Sequence, residues 1–398
     1  MIKFDLKTDT KKFINQEEYD KLLSEKNEWI SKLSQCEMTG WMRDINKDTI
    51  QKIKAVGETI KKEFDCLVVI GIGGSFLGSY AFHKAFQKYF MDNSFEIIYA
   101  GTTLSDEYLE ELVEYLENKN FCINVISKSG TTMETSITYH ILKDLLKRKY
   151  DKEELRKHII VTTDKEKGKL REEVKEENYL SFEIAEDIGG RYSFITPAHL
   201  LPLALNYDID KIVDGYEDGK RYLNEAFEYA VTRKLLFEQG KQVENYCIYE
   251  EKLSAFTEWL KQLFGETEGK NGVGIYPTAS VHTRDLHSLG QFIQEGNKVI
   301  FETFIKVENS SNYISYKGKD LHEVNNMVLD SVMRAHYSGG VPCMEITIDC
   351  LTEENIASLI YFFLLSASFS GLLFGVDPFN QPGVEVYKKE VKNSIGEL

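Results

Sequence analysis

Paired cysteines are missing from this sequence. The six that occur, Cys36, Cys66, Cys122, Cys247, Cys343 and Cys350, form no Cys-x-x-Cys spacing, and several sit in apolar, strand-like runs. That usage excludes a disulfide framework and points to reduced thiols in a cytoplasmic protein. Excess positive charge is missing too: 48 Lys and Arg against 64 Asp and Glu leave a net charge of −16. No nucleic-acid or anionic-membrane partner is expected of such a chain, although a local cluster of donors can still hold an anionic small molecule. No apolar run follows Met1-Ile-Lys-Phe-Asp-Leu-Lys7, so no signal peptide is expected. His, Cys and Asp nowhere take metal-ligand spacing, and there is no Gly-x-Ser-x-Gly elbow. Long uncharged runs are also scarce. The longest, residues 356–376, has the length of a bilayer span but holds four serines, two glycines and a tyrosine, and reads as the core helix of a large domain.

What is present is an alternation of short apolar runs with helical stretches. Residues 1–44 read as an arm with a helix over 16–34. Cys66-Leu-Val-Val-Ile70 is a fully apolar run of the kind buried in parallel sheets. Further strands are expected at 96–100, 122–127 and 158–163, with helices between them. A charged helical crossover spans 207–240. Strands at 244–249, 274–276, 299–307 and 345–350 then alternate with helices at 253–266, 287–294 and 321–336, and a short tail follows Lys388. This pattern predicts an α/β fold with mostly parallel sheets, and 398 residues suit two domains. Ligands of such sheets bind at the carboxyl ends of strands.

Two loops fall at such ends. Ser127-Lys-Ser-Gly-Thr-Thr132 offers four hydroxyls, a lysine and a glycine at the start of a helix. Free helix N-terminal amides and the helix dipole favour an anion there, although a serine- and threonine-rich turn that merely caps a helix has the same composition. Gly71-Ile-Gly-Gly-Ser-Phe-Leu-Gly78 fails as a dinucleotide fingerprint, because its third glycine would fall at Phe76 and no acidic residue ends the next strand. It can still bring backbone amides and Ser75 to a sugar or phosphate. Gln262 and Glu266 are four apart and share a helix face. Glu266 reads as a general base if partly buried, or as a solvated helix-end carboxylate. His287 opens a helix and reads as an acid–base group or a surface cap. Gly189-Gly190-Arg191 presents an arginine, for function or for a surface ion pair. Lys388 stands three residues after Glu385, in ion-pair register. A phosphate loop, a carboxylate, an arginine, a histidine and a lysine suit proton movement on a phosphorylated sugar. That chemistry needs a base, a partner for enediolate charge and an acid to open the ring.

From Val68 to Lys388 the chain resembles the glucose-6-phosphate isomerase (phosphoglucose isomerase) family in its compact bacterial form. Ser-Lys-Ser-Gly-Thr-Thr at 127–132 alone indicates the wider sugar-isomerase (SIS) fold. Gly-Gly-Arg-Tyr-Ser at 189–193 and Gln-Pro-Gly-Val-Glu-Val-Tyr-Lys at 381–388 are more specific, and 264–270 and 285–296 complete the match. The resemblance implies two α-β-α sandwich domains of the SIS kind: a smaller one over 46–204 with the phosphate loop, and a larger one from 1–45 and 205–398. It implies Glu266 as the base between C1 and C2, Arg191 beside the enediolate oxygens, and His287 with Lys388 in ring opening. Ser127, Lys128, Ser129, Gly130, Thr131 and Thr132 would cradle the phosphate; Gly74, Ser75 and Gln262 would line the sugar. It further implies a homodimer with His287 lent across the interface, and neither cofactor nor metal. Two departures stand out: the chain is trimmed in several loops, and Met133 stands where a polar residue is expected. The rival readings are an isomerase that also accepts mannose 6-phosphate and a non-catalytic sugar-phosphate sensor.

Overall fold

Twelve strands are found among residues 1–6 and 10–396, which the computed structural model describes: β1 Ile2–Asp5, β2 Cys66–Ile70, β3 Glu96–Ala100, β4 Phe121–Ile126, β5 Ile159–Asp164, β6 Leu180–Ile184, β7 Val243–Ile248, β8 Tyr276–Val281, β9 Ile300–Val307, β10 Ser315–Tyr316, β11 Lys319–Asp320 and β12 Cys343–Ile348. Glu37–His83 and Gln87–Val213 form one compact unit; Met1–Cys36, Lys84–Phe86 and Asp214–Gly396 form the other.

The smaller unit carries a five-stranded, all-parallel sheet in the order β3-β2-β4-β5-β6. Its central strands are the apolar runs read from the sequence, and every residue of β2, β4 and β5 is buried. Such continuous burial requires helices on both faces, which is why these strands do not alternate in polarity. Val68, Ile123, Val125 and Val161 pack with Leu142, Leu145 and Leu146 of the helix Met133–Lys149 in one core.

The larger unit has the order β1-β12-β9-β7-β8, parallel except for β1. The antiparallel edge strand β1 lies in what the sequence suggests is a plain arm. Its signal is the alternation Ile2, Phe4, Leu6, in which the first and last are buried. The expected helix over 16–34 divides at Glu25 into Gln16–Ser24 and Lys26–Ser34. β8 begins at Tyr276 rather than 274, because Gly274 takes φ +111° and belongs to the turn. As an edge strand, β8 tolerates Pro277. The uncharged stretch forms the helix Glu353–Leu373, which is long and apolar enough to cross a membrane but is 94% buried within the protein over its most apolar window. It packs against the helix Leu223–Glu238, with Phe227 edge-on to Phe369. The helix expected to open at Pro382, with Glu385 and Lys388 on one face, is present and runs on past Lys388, over Gly383–Ile395.

Candidate active site

Three loops leave the carboxyl ends of strands in the smaller unit, and all three carry residues singled out above. After β4, Ser127–Thr132 turns into the helix Met133–Lys149. Thr132 occupies the N-cap without a side-chain capping bond. The loop folds on its own hydroxyls: the Gly130 N–H donates to Ser127 Oγ at 3.0 Å, and the Thr131 N–H donates to Ser129 Oγ at 3.2 Å. Ser129 Oγ and Thr131 Oγ1 lie 2.9 Å apart. Gly130 is required, since φ is +71° and a Cβ would stand 2.8 Å from the Leu170 nitrogen. Thr163 Oγ1 donates to the Ser127 carbonyl at 2.7 Å, which anchors the loop to β5.

After β2, residues 73–75 form a short 3-10 turn that includes Gly74 and Ser75. After β6, a second 3-10 turn, Gly190–Tyr192, holds Arg191, whose side chain is buried. The two turns touch: a Cβ on Gly74 would lie 2.2 Å from the Gly190 carbonyl carbon, so only glycine permits the approach. Ser193 Oγ donates to the Gly190 carbonyl at 2.6 Å and lies 3.1 Å from the Gly74 carbonyl. His199 completes the join. Its Nδ1 accepts the Ser79 N–H at 3.0 Å, which leaves the proton on Nε2 to donate to the Gly74 carbonyl at 2.8 Å. Burial holds this imidazole down at about 4, against a weaker pull from the Gly74 carbonyl, so it is neutral near pH 7. The structure thus brings the phosphate loop, Gly74, Ser75 and Arg191 together at one end of one sheet. His199 escaped the sequence reading; its only signal was a lone histidine inside the apolar run 196–206.

In the larger unit, Gln262 and Glu266 lie on the helix Ser254–Glu268, both half-buried. The Gln262 amide donates to Glu266 Oε1 at 3.1 Å, and its own Oε1 is buried without a hydrogen-bond partner. The end of this helix is pinned from below. Arg233, fully buried, binds both oxygens of Glu268, donates to Glu244 Oε2 on β7 at 2.7 Å and reaches Ser370 Oγ at 2.6 Å. His287 is exposed on the helix Leu286–Glu295. Lys388 is exposed on the helix Gly383–Ile395, 2.9 Å from Glu385.

The fold also assembles a group that sequence spacing conceals. Cys247, His282 and Glu302 are buried with potential ligand atoms within 4.8 Å of one another. The Asn245 amide nitrogen stands among them, 3.2 Å from Cys247 Sγ, 3.1 Å from Glu302 Oε1 and 2.9 Å from Ser280 Oγ. His336 Nδ1 meets the second Glu302 oxygen at 2.6 Å. The amide hydrogen-bonds two of the three groups, Cys247 and Glu302, and Ser280 Oγ lies 2.9 Å from His282 Nε2, so the group reads as a hydrogen-bonded core cluster.

Residues 34–397 match the family model described as phosphoglucose isomerase. The glucose-6-phosphate isomerase of Staphylococcus saprophyticus is 41% identical over 383 residues, which span 90% of this chain and 86% of that protein. The glucose-6-phosphate isomerase of Streptococcus mutans is 42% identical over 392 residues, 91% of this chain and 87% of that one. Among solved structures, a hypothetical protein from Thermus thermophilus superposes over the whole of both chains with a TM-score of 0.86 at 25% identity. A glucose-6-phosphate isomerase from Chlamydia trachomatis superposes over 96% of this chain and 85% of its own with a TM-score of 0.81 at 19% identity, a likeness of fold. These neighbours bear out the expected α/β class, two α-β-α sandwiches of the sugar-isomerase kind.

Proposed function

This chain belongs to the phosphoglucose isomerase family, and from that premise we infer that it interconverts D-glucose 6-phosphate and D-fructose 6-phosphate, a step of glycolysis and gluconeogenesis. The observation that carries the reading is similarity at about two residues in five across nine-tenths of the chain to proteins of that name.

In this reading the smaller domain, 46–204, supplies the phosphate loop; the larger, 1–45 with 205–398, supplies the base, histidine and lysine. The substrate phosphate is held by the hydroxyls of Ser127, Ser129, Thr131 and Thr132 and by the amides at the helix start, with Lys128 and Gly130 shaping the loop. Gly74, Ser75 and Gln262 line the sugar. His287 and Lys388 open the ring. Glu266 then removes the proton from one of C1 and C2 and returns it to the other. Arg191 stabilises the enediolate oxygens formed between the two steps. Half-burial of Glu266 and its hydrogen bond from Gln262 favour a base with a fixed direction. Phosphate binding energy, remote from the reacting carbons, aligns them on the carboxylate. The protein acts as a homodimer in which His287 serves the partner's site. Its exposure in a single chain supports this, as do the exposed Val386, Tyr387, Val391 and Ile395 on the helix that carries Lys388. Six free thiols agree with a cytoplasmic setting.

The test is turnover of fructose 6-phosphate by purified protein, read by oxidation of the product with a glucose-6-phosphate dehydrogenase, with mannose 6-phosphate alongside. Turnover of fructose 6-phosphate alone is the expected result. Binding without turnover would make the protein a sensor, and comparable turnover of mannose 6-phosphate would widen its specificity.

A further inference from the structure

Lys128 sits in the phosphate loop, yet its ammonium is engaged elsewhere. Nζ lies 2.8 Å from the Glu186 carbonyl and 3.3 Å from each of the Ala185 and Ile188 carbonyls. An ammonium has three N–H donors and no acceptor. Three carbonyls therefore take its whole donor capacity, and a phosphate oxygen could bind it only by displacing one of them. The carbonyls belong to the turn that runs from the end of β6 directly into Gly189-Gly190-Arg191. That turn is gripped at its far end by the Gly74 approach and by Ser193 and His199. Its near end is gripped by Lys128, the one of these ties that comes from the phosphate loop. Burial of the lysine pushes its pKa below the usual range, against the pull of Asp164, Glu186 and Asp187, so the contact is made at a desolvation cost.

We propose that Lys128 is a positioning residue that ties the phosphate loop to the turn carrying Arg191, setting the guanidinium relative to the bound phosphate rather than binding that phosphate itself. The inference rests on the isomerase reading above and deepens it. The tie makes the loop that grips the substrate and the turn that carries the enediolate partner one rigid piece, so phosphate binding orients Arg191 without further rearrangement.

Lys128→Met removes the ammonium and keeps the aliphatic stem. Lys128→Arg keeps the charge but replaces three converging donors with a planar fork. For both variants and the wild type, kcat for fructose 6-phosphate and the inhibition constant of inorganic phosphate are measured. A positioning role predicts that kcat falls by about tenfold to a hundredfold in both variants, while the phosphate inhibition constant stays within about threefold. A phosphate ligand would give the reverse for Lys128→Met, weak phosphate inhibition with kcat retained, and wild-type behaviour for Lys128→Arg. Either of those, or no change in either constant, or loss of both together, overturns the proposal. Should Lys128→Met fail to fold, Lys128→Arg alone separates the two roles. A wild type without turnover overturns the isomerase reading; an active wild type with the wrong split overturns only the role of Lys128.

Discussion

At the scale of single residues, His199 shows how a buried neutral side chain makes stability depend on pH. Its imidazole is held at about 4 in the fold against an ordinary value of 6.5. The unfolded chain therefore binds more protons between those two values. The contribution is fully present above pH 6.5 and is lost as pH falls towards 4, with an upper size of about 3 kcal/mol. Urea unfolding at a series of pH values should show this slope. His199→Gln should flatten it by one proton, while lowering stability at pH 7 through the lost Gly74 and Ser79 bonds. An unchanged slope would remove His199 as its source. His158 and His282 are also pushed down by burial and add slopes of the same sign. Composition made Ser127–Thr132 readable as a candidate anion loop, whereas Arg191 and Glu266 stood out from their bland alternatives only through the family resemblance. His199 was not readable, because its backbone partners at Gly74 and Ser79 lie 125 and 120 positions away, and its contact with Ser193 Oγ at 3.1 Å has no motif spacing of its own. The direction of the Lys128 side chain was hidden for the same reason: carbonyls carry no sequence signature.

At the scale of elements, the helix that ends in Glu266 and Glu268 rests on a buried charge network. Arg233 faces Glu244 and Glu268 with all three side chains fully buried, and Tyr229 and Tyr246 add hydroxyls to Glu244 at 2.5 and 2.9 Å. Removing the one cation would leave two buried carboxylates uncompensated. Arg233→Met should therefore destabilise the protein by about 3–5 kcal/mol, measured as a shift in the urea midpoint. A loss under about 1 kcal/mol would mean that the carboxylates are neutral or hydrated in the fold. Because Glu268 is two residues from Glu266, activity should fall along with stability. Most elements were legible because parallel strands buried on both faces leave uninterrupted apolar runs, as at Cys66–Ile70. The failures lay at edges. β1 has only four residues, too few for a firm periodicity, and is defined by pairing with β12, whose residues lie far along the chain (Ile2 opposite Ile348, Asp5 opposite Glu345). β8 contains Pro277 and follows two glycines, which mask its start. The split at Glu25 leaves no proline or glycine to mark it.

At the scale of the whole molecule, a homodimer with shared sites makes a prediction that a self-sufficient monomer does not. Glu266→Gln and His287→Ala homodimers should each be nearly inactive. Mixed, dissociated and reassociated, they should regain about a quarter of wild-type activity, since half the dimers are hybrids with one intact site each. No recovery, with hybrid dimers demonstrated, would place His287 in its own subunit's site or outside catalysis. The family was legible from motifs spread over three hundred residues, whereas the homodimer is an expectation that only the resemblance supplies. The most direct test of the central claim, proton transfer by Glu266, is isomerisation of fructose 6-phosphate in D₂O by wild type and Glu266→Gln, with deuterium at C2 of the glucose 6-phosphate product followed by NMR. Wild type should incorporate solvent deuterium during turnover. The variant should still bind the sugar phosphate, yet lose turnover and incorporation together by about a hundredfold to ten-thousandfold. Near-normal turnover and incorporation in Glu266→Gln would contradict the assignment of the base.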